Sequence, residues 1–158
     1  MTAVETPLFG FSLDDRMLAF PLAVVVRALF SVEVTALPSA PGIVAGVINY
    51  HGTIIPVVDL RAMFNVSREE ILPSDRFILI RTPKRMLAVI ASKVTGILKP
   101  PGALTSVEDI LPGARYINGV IPEEGRLILI YDPDTFLSLE EEAVLDTALA
   151  GAGTGAVR

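Results

Sequence analysis

His51 is the only histidine in the 158 residues, and there is no cysteine. One imidazole cannot build a metal cage from histidine and cysteine donors, and no thiolate nucleophile is available. His51 could act as a general base with Asp59 or Ser39. It stands, however, in Asn49-Tyr50-His51-Gly52, which has the composition of a hairpin tip. Asp14-Asp15 and Glu123-Glu124 are paired carboxylates of the type used in acid–base catalysis. Each pair falls in an expected turn, where solvated side chains adjacent in sequence need not face one another. Asp59 and Asp132 each have the type and place of a helix N-cap. The glycines are too widely spaced to cradle a phosphate, and no Gly-Lys-Ser/Thr follows them. No nucleophile, base and oxyanion stabiliser come together. The sequence reads as a non-enzyme, with no cofactor and no metal expected.

The elements that would position these residues are organised around 46–60, Gly-Val-Ile-Asn-Tyr-His-Gly-Thr-Ile-Ile-Pro-Val-Val-Asp-Leu. Two aliphatic runs, 46–48 and 53–58, are broken by Asn49 to Gly52, a hairpin pattern in which Asn and Gly tolerate positive φ. Pro56 cannot donate to a ladder, which predicts an edge strand or a bulge there. The phrase recurs in 119–132: Gly46, Val47, Ile48, Gly52, Ile55 and Asp59 reappear as Gly119, Val120, Ile121, Gly125, Ile128 and Asp132, 73 residues on. Arg16-Met-Leu-Ala19 returns as Arg85-Met-Leu-Ala88, 69 residues on, leading into Val25 and Val94, Leu29 and Leu98. Two ordered echoes describe two similar β units in tandem.

Read in order, 1–7 is a frayed end, and 8–13 is a strand turning Phe9, Phe11 and Leu13 inward before the Asp14-Asp15 turn. Residues 21–29 are too β-branched for a helix, and Val25 and Arg27 are expected on the face opposite Val24 and Val26. Residues 36–45 form a loop; 60–64 and 67–72 are short helices. Strands follow at 76–81, 86–91 and 94–98, then a loop over 99–116 and a strand at 126–131. From 135 to 150 the period becomes helical, with Phe136, Leu139, Ala143, Val144 and Ala148 on one face. Ser138 and Glu141 have capping-box spacing, and 151–158 is a flexible end. Ten short strands in matched sets make the fold all-β.

Apolar residues are 51% and charged ones 20%, a globular composition at a net charge of −5. An acidic chain without a basic face argues against nucleic acid. No run approaches the ~20 apolar residues of a membrane span, and the N-terminal stretch lacks the plan of a secretory signal, so a cytoplasmic location is expected.

The pattern of these residues resembles a known family. Leu37-Pro-Ser-Ala-Pro41, then Gly46-Val-Ile-Asn49-Tyr-His-Gly52 and Ile54-Ile-Pro-Val-Val-Asp-Leu-Arg61, strongly resembles the CheW family of chemotaxis adaptors. Tyr116-Ile-x-Gly-Val120 and Arg126-Leu-Ile-Leu-Ile130 look like its second-half strands, and Glu140 to Ala148 is similar to its end helix. The resemblance spans about 8–150 and implies one CheW-like domain with approximate halves 8–70 and 71–150. Its fold would be two intertwined five-stranded SH3-like barrels with short connecting helices and a C-terminal helix. It further implies a non-catalytic adaptor linking the cytoplasmic tip of a chemoreceptor to the regulatory domain of a CheA-type histidine kinase. Barrel ends would pair with the kinase, and a groove between barrels would take the receptor's helical hairpin, without nucleic acid or membrane insertion. By resemblance, the receptor-binding residues are Val25, Arg27, Gly46, Asn49, His51 and Gly52. Two depart from the family's pattern: His51 stands where an arginine is usual, losing a permanent forked charge, and Arg27 replaces the acid of Val-x-Glu. Alternatives are an adaptor of twitching motility or another chemosensory-like pathway, and a small-ligand sensor using the cleft between barrels.

Overall fold

The computed structural model describes residues 7–64, 70–98, 117–123 and 125–154. Ten strands form two five-stranded sheets. The strands are β1 (Leu8–Leu13), β2 (Arg16–Pro21), β3 (Val25–Phe30), β4 (Val44–Tyr50), β5 (Thr53–Val58), β6 (Arg76–Arg81), β7 (Met86–Ala91), β8 (Lys93–Leu98), β9 (Ile117–Glu123) and β10 (Arg126–Tyr131). One sheet has the order β8-β1-β2-β10-β9 and the other β3-β6-β7-β5-β4. Each therefore mixes strands from early and late in the chain.

The echoes in the sequence recur in the hydrogen-bond register. Shifting β1, β2 and β3 by 69 residues, and β4 and β5 by 73, maps one sheet order onto the other. Ile128 pairs with Met17 and Ile130 with Ala19 in the parallel β10–β2 ladder. In the parallel β5–β7 ladder the equivalent residues Val57 and Ala88 pair. Ile48 faces Ile55 as Ile121 faces Ile128. The bulges match as well: β4–β5 slips between Val44 and Gly46, and β9–β10 slips opposite Ile130 and Tyr131.

This internal symmetry explains the core. Ile48, Ile55, Val57, Phe77 and Ala88 pack within one sheet, and their equivalents Ile121, Ile128, Ile130, Leu8 and Ala19 pack within the other. The opposite faces meet in a larger shared cluster including Phe11, Phe20, Ile78, Ile80, Tyr131 and Phe136. Alternate residues of one strand thus serve two cores, so β6, β7 and β10 are nearly continuous in apolar residues.

Several expectations are corrected. Closed barrels are not found: among the described residues no ladder joins the outer strands of either sheet. In the second sheet the outer strands β3 and β4 are linked by an isolated Thr35–Val47 bridge beyond β3 and by a side-chain contact described below. Pro56 is in an inner strand without a bulge of its own; the ladder to β7 covers only Val57 and Val58, just past the proline, so the missing N–H is tolerated. Residues 21–29 are not one strand, because Leu22–Val24 form a 3-10 turn before β3. A bulge between Val25 and Arg27 pairs them with consecutive residues, Ile80 and Leu79, and so puts them on opposite faces.

Leu60–Phe64 is a 3-10 turn, as placed. Of the helix expected at 67–72, residues 65–69 lie outside the described residues and 70–72 are not helical. The loop at 99–116 is likewise outside them. The C-terminal helix, α1, spans Leu139–Thr154, four residues into the stretch read as a flexible end. Its buried side is Leu145 and Ala148, while Leu139 is 81% exposed and Val144 is exposed too. Two ion pairs from the β6–β7 turn set this rotation: Arg85 Nε donates to Glu142 at 3.0 Å, and its Nη2 donates to Asp146. The capping box forms reciprocally, with Glu141 N donating to Ser138 Oγ at 3.1 Å and Ser138 N to Glu141 Oε1 at 2.9 Å.

Candidate functional site

The tip between β4 and β5 is a two-residue turn, His51-Gly52, closed by the Tyr50–Thr53 pair. Both residues have positive φ, 51° and 87°, the geometry that matches strand twist in a tight hairpin. His51, not Asn49, therefore takes the left-handed conformation. Asn49 holds the turn from the strand, its Oδ1 accepting from Gly52 N at 2.8 Å.

Arg27 reaches this turn across the open side of the sheet. Its Nη1 donates to the Tyr50 hydroxyl at 3.1 Å, and the His51 ring stands edge-on to Tyr50 with centroids 4.4 Å apart. Arg27, Asn49, His51 and Gly52 thus form one exposed patch. The other two expected residues lie apart. Gly46 is buried at the far end of β4; a side chain there would collide with the Thr35 carbonyl and come within 2.7 Å of Val34 Cγ1, so its role is to let two backbones approach. Val25 packs on the shared core.

Three residues that the sequence did not single out belong to the same region. Phe30 is 69% and Val26 46% exposed on the outer strand β3. Phe30 pairs with Arg76, whose guanidinium lies 4.1 Å from the ring centroid. Among the described residues neither Arg27 nor Arg76 is in a salt bridge. The sequence signal was available in part: Val26 and Phe30 are large apolar side chains on a strand whose alternation the bulge disrupts.

Of the carboxylates considered for catalysis, Asp14 and Asp59 have structural partners, and Glu124 lies outside the described residues. Asp14 accepts a two-pronged pair from Arg61, Nε at 2.9 Å and Nη2 at 3.0 Å. That hydrogen bond, chiefly, holds the Asp14 carboxyl below its usual range. Asp14 is thus not the solvated turn residue expected, because a partner 47 residues away claims it. Asp59 Oδ1 accepts from Arg61 N at 3.1 Å, and Asp132 Oδ1 from Asp134 N at 3.0 Å, so the two echoed aspartates cap equivalent turns. Burial, and then Asp132, push the Asp134 carboxyl up. His51 is not hydrogen-bonded to Asp59 or Ser39 among the described contacts. A cleft of about 600 Å³ between α1 and the 38–39 turn is lined by small and apolar side chains, without a titratable group. No group of three or more His, Cys, Asp or Glu among the described residues could hold a metal.

Comparison with known proteins gives the family. The family model for the CheW-like domain matches residues 7–141. The chain belongs to the CheW family. Chemotaxis protein CheW of Thermotoga maritima is 29% identical over 136 residues, covering 84% of this chain and 88% of that protein. Protein FrzA of Myxococcus xanthus is 29% identical over 129 residues, covering 77% and 78%. The crystal structure of scaffolding protein TtCheW from Thermoanaerobacter tengcongensis superposes with a TM-score of 0.71 at 20% identity, covering 87% of this chain and 96% of that one. Membership in the CheW family makes this chain a chemotaxis adaptor. No helix among the described residues is long and apolar enough to cross a membrane.

Proposed function

We propose that this CheW-family chain is a non-catalytic, cytoplasmic adaptor that holds a chemoreceptor tip and the regulatory domain of a CheA-type histidine kinase together. The observation that carries this reading is the Arg27–Tyr50–His51 contact. It joins an outer strand and a hairpin tip into one exposed surface, with Val26 and Phe30 also exposed along that strand. Such a surface offers shape and apolar area and no reacting group, which suits binding one face of an amphipathic helix. Receptor contact is assigned to Val25, Arg27, Gly46, Asn49, His51 and Gly52: the exposed members touch the partner, and Gly46 and Val25 shape the strands beneath. Residues 8–150 act as one unit with interleaved halves, each sheet rolled towards a five-stranded barrel whose end meets the kinase.

The test is reconstitution of a cognate kinase with receptor signalling fragments. Kinase output is expected to become receptor-dependent only when this chain is added, and the chain alone is expected to consume no ATP. Receptor control of the kinase without the chain would refute the role. A second reading is an adaptor in another chemosensory-like pathway: a relative whose name is not that of a chemotaxis CheW, protein FrzA, is as similar at 29% as the Thermotoga CheW.

A further inference from the structure

Little apolar packing holds α1 to the sheets. Of its described side chains only Leu145 and Ala148 are buried, both in the shared cluster with Leu37 and Phe136. Its backbone makes no extended contact with any described strand. A cleft of about 600 Å³ lies between α1 and Pro38 and Ser39. A second cleft, of about 270 Å³, lies between Leu139 and Glu142 and the turn at 82–84. The helix's own sequence adds little. Sixteen residues are marginal as a helix in water without packing, and Gly151 and Gly153 weaken its last turn.

The polar attachment runs through Arg85. From the β6–β7 turn its Nε donates to Glu142 at 3.0 Å and its Nη2 donates to Asp146, two acids one helical turn apart. The hydrogen bond from Arg85, chiefly, keeps the Asp146 carboxyl below its ordinary range although solvent reaches it. Arg85 and Glu142 are 16% and 13% exposed, so their pair is screened less than a surface pair. In the first half the counterpart residue, Arg16, lies instead over the Phe64 ring, 4.4 Å from the centroid.

We infer that α1 is a releasable strap: it leaves and unwinds as one unit while both sheets stay folded, and Arg85 is its latch. Segments with few buried apolar contacts open at lower free energy than the core around them. Each sheet keeps a core that contains no residue of α1, around Ile55 and Phe77 in one and Ala19 and Ile128 in the other. Release therefore leaves these cores intact and uncovers the part of the shared cluster that Leu145 and Ala148 close, turning it into an exposed apolar surface. This holds whichever partner the chain serves.

Hydrogen exchange of the full chain, read by mass spectrometry at fixed pH, compares peptides covering α1 with peptides covering β6 and β7. In the wild type, α1 is expected to exchange at least about 10-fold faster than β6 and β7, yet slower than the same sequence as a free peptide. Arg85→Gln should speed exchange in α1 about 3- to 20-fold and leave β6 and β7 unchanged. Glu142→Gln combined with Asp146→Asn removes the latch from the helix side without touching the turn, and should match Arg85→Gln. Circular dichroism checks that the variants keep their β signal. Equal rates in α1, β6 and β7 would make α1 part of one cooperative unit and overturn the inference. So would acceleration of all peptides alike by Arg85→Gln, or wild-type exchange of α1 at the free-peptide rate, which would show that it is not docked. A helix-side variant without effect, beside an active Arg85→Gln, would overturn the role of the latch.

Discussion

Arg61 joins the two sheets, and its removal has a calculable cost. Its side chain is 4% exposed; it grips Asp14 in the β1–β2 turn of one sheet and lies 3.6 Å from Asp59 Oδ2 at the end of β5 in the other. Asp14 is 34% exposed and Asp59 1%. When Arg61→Ala removes the guanidinium, Asp14 turns to water and loses little. Asp59 stays in the interior, and the guanidinium 3.6 Å from its Oδ2 is gone. Breaking a buried pair this way costs about 3–5 kcal/mol. Asp14→Asn, which breaks only the partly solvated arm, should cost about 1 kcal/mol. The difference assigns the penalty to the buried side of the contact, so adding Asp59→Asn to Arg61→Ala should recover part of the loss. Urea unfolding followed by circular dichroism measures all four proteins. A cost below about 1 kcal/mol for Arg61→Ala, or no recovery in the double variant, would refute this account of the inter-sheet contact.

The internal symmetry predicts that Ile55→Ala and Ile128→Ala, at equivalent buried positions, each cost about 2–5 kcal/mol and agree closely; chemical denaturation of both reads this. Gly46→Ala should destabilise far more than Gly42→Ala, since only the first meets backbone, and thermal melts compare them. His51→Gly should raise stability by up to about 1 kcal/mol, because glycine takes positive φ without strain, while removing the ring that stands edge-on to Tyr50. For acid stability the sign follows from Asp14, whose folded pKa lies below its unfolded value. Its contribution is complete above the unfolded value near ~3.9 and is lost as pH falls through the folded one, so Asp14→Asn should flatten the pH dependence of stability in that window.

Much of this fold was written in the sequence as repetition. The offsets of 69 and 73 identified the equivalent strands because the same residues must fill the same two-sided packing positions, as with Ile55 and Ile128. What repetition could not give was which strands share a sheet, because sheet membership rests on pairings such as Ile128 with Met17, remote in sequence. The β3 bulge was equally hidden: one extra residue reverses the faces of Val25 and Arg27, and nothing in Val-Val-Val-Arg marks where it falls. Of the expected patch, the turn residues were legible from His51-Gly52 and Asn49. The part played by Tyr50 depends on a curvature that brings β3 towards β4, and Arg76 over Phe30 depends on cross-strand register. Leu139 shows the limit of helical periodicity: the spacing places it with Ala143 and Val144, but the clamp from Arg85 turns that face to water.

The most direct test of the adaptor role is calorimetric titration of the full chain with the CheW-like regulatory domain of a CheA-type kinase from the same genome, without ATP. Saturable binding at concentrations up to tens of micromolar, on the order of 7 kcal/mol, is the expected result, unchanged by Arg27→Glu. Absence of both heat and co-elution over that range would contradict the role.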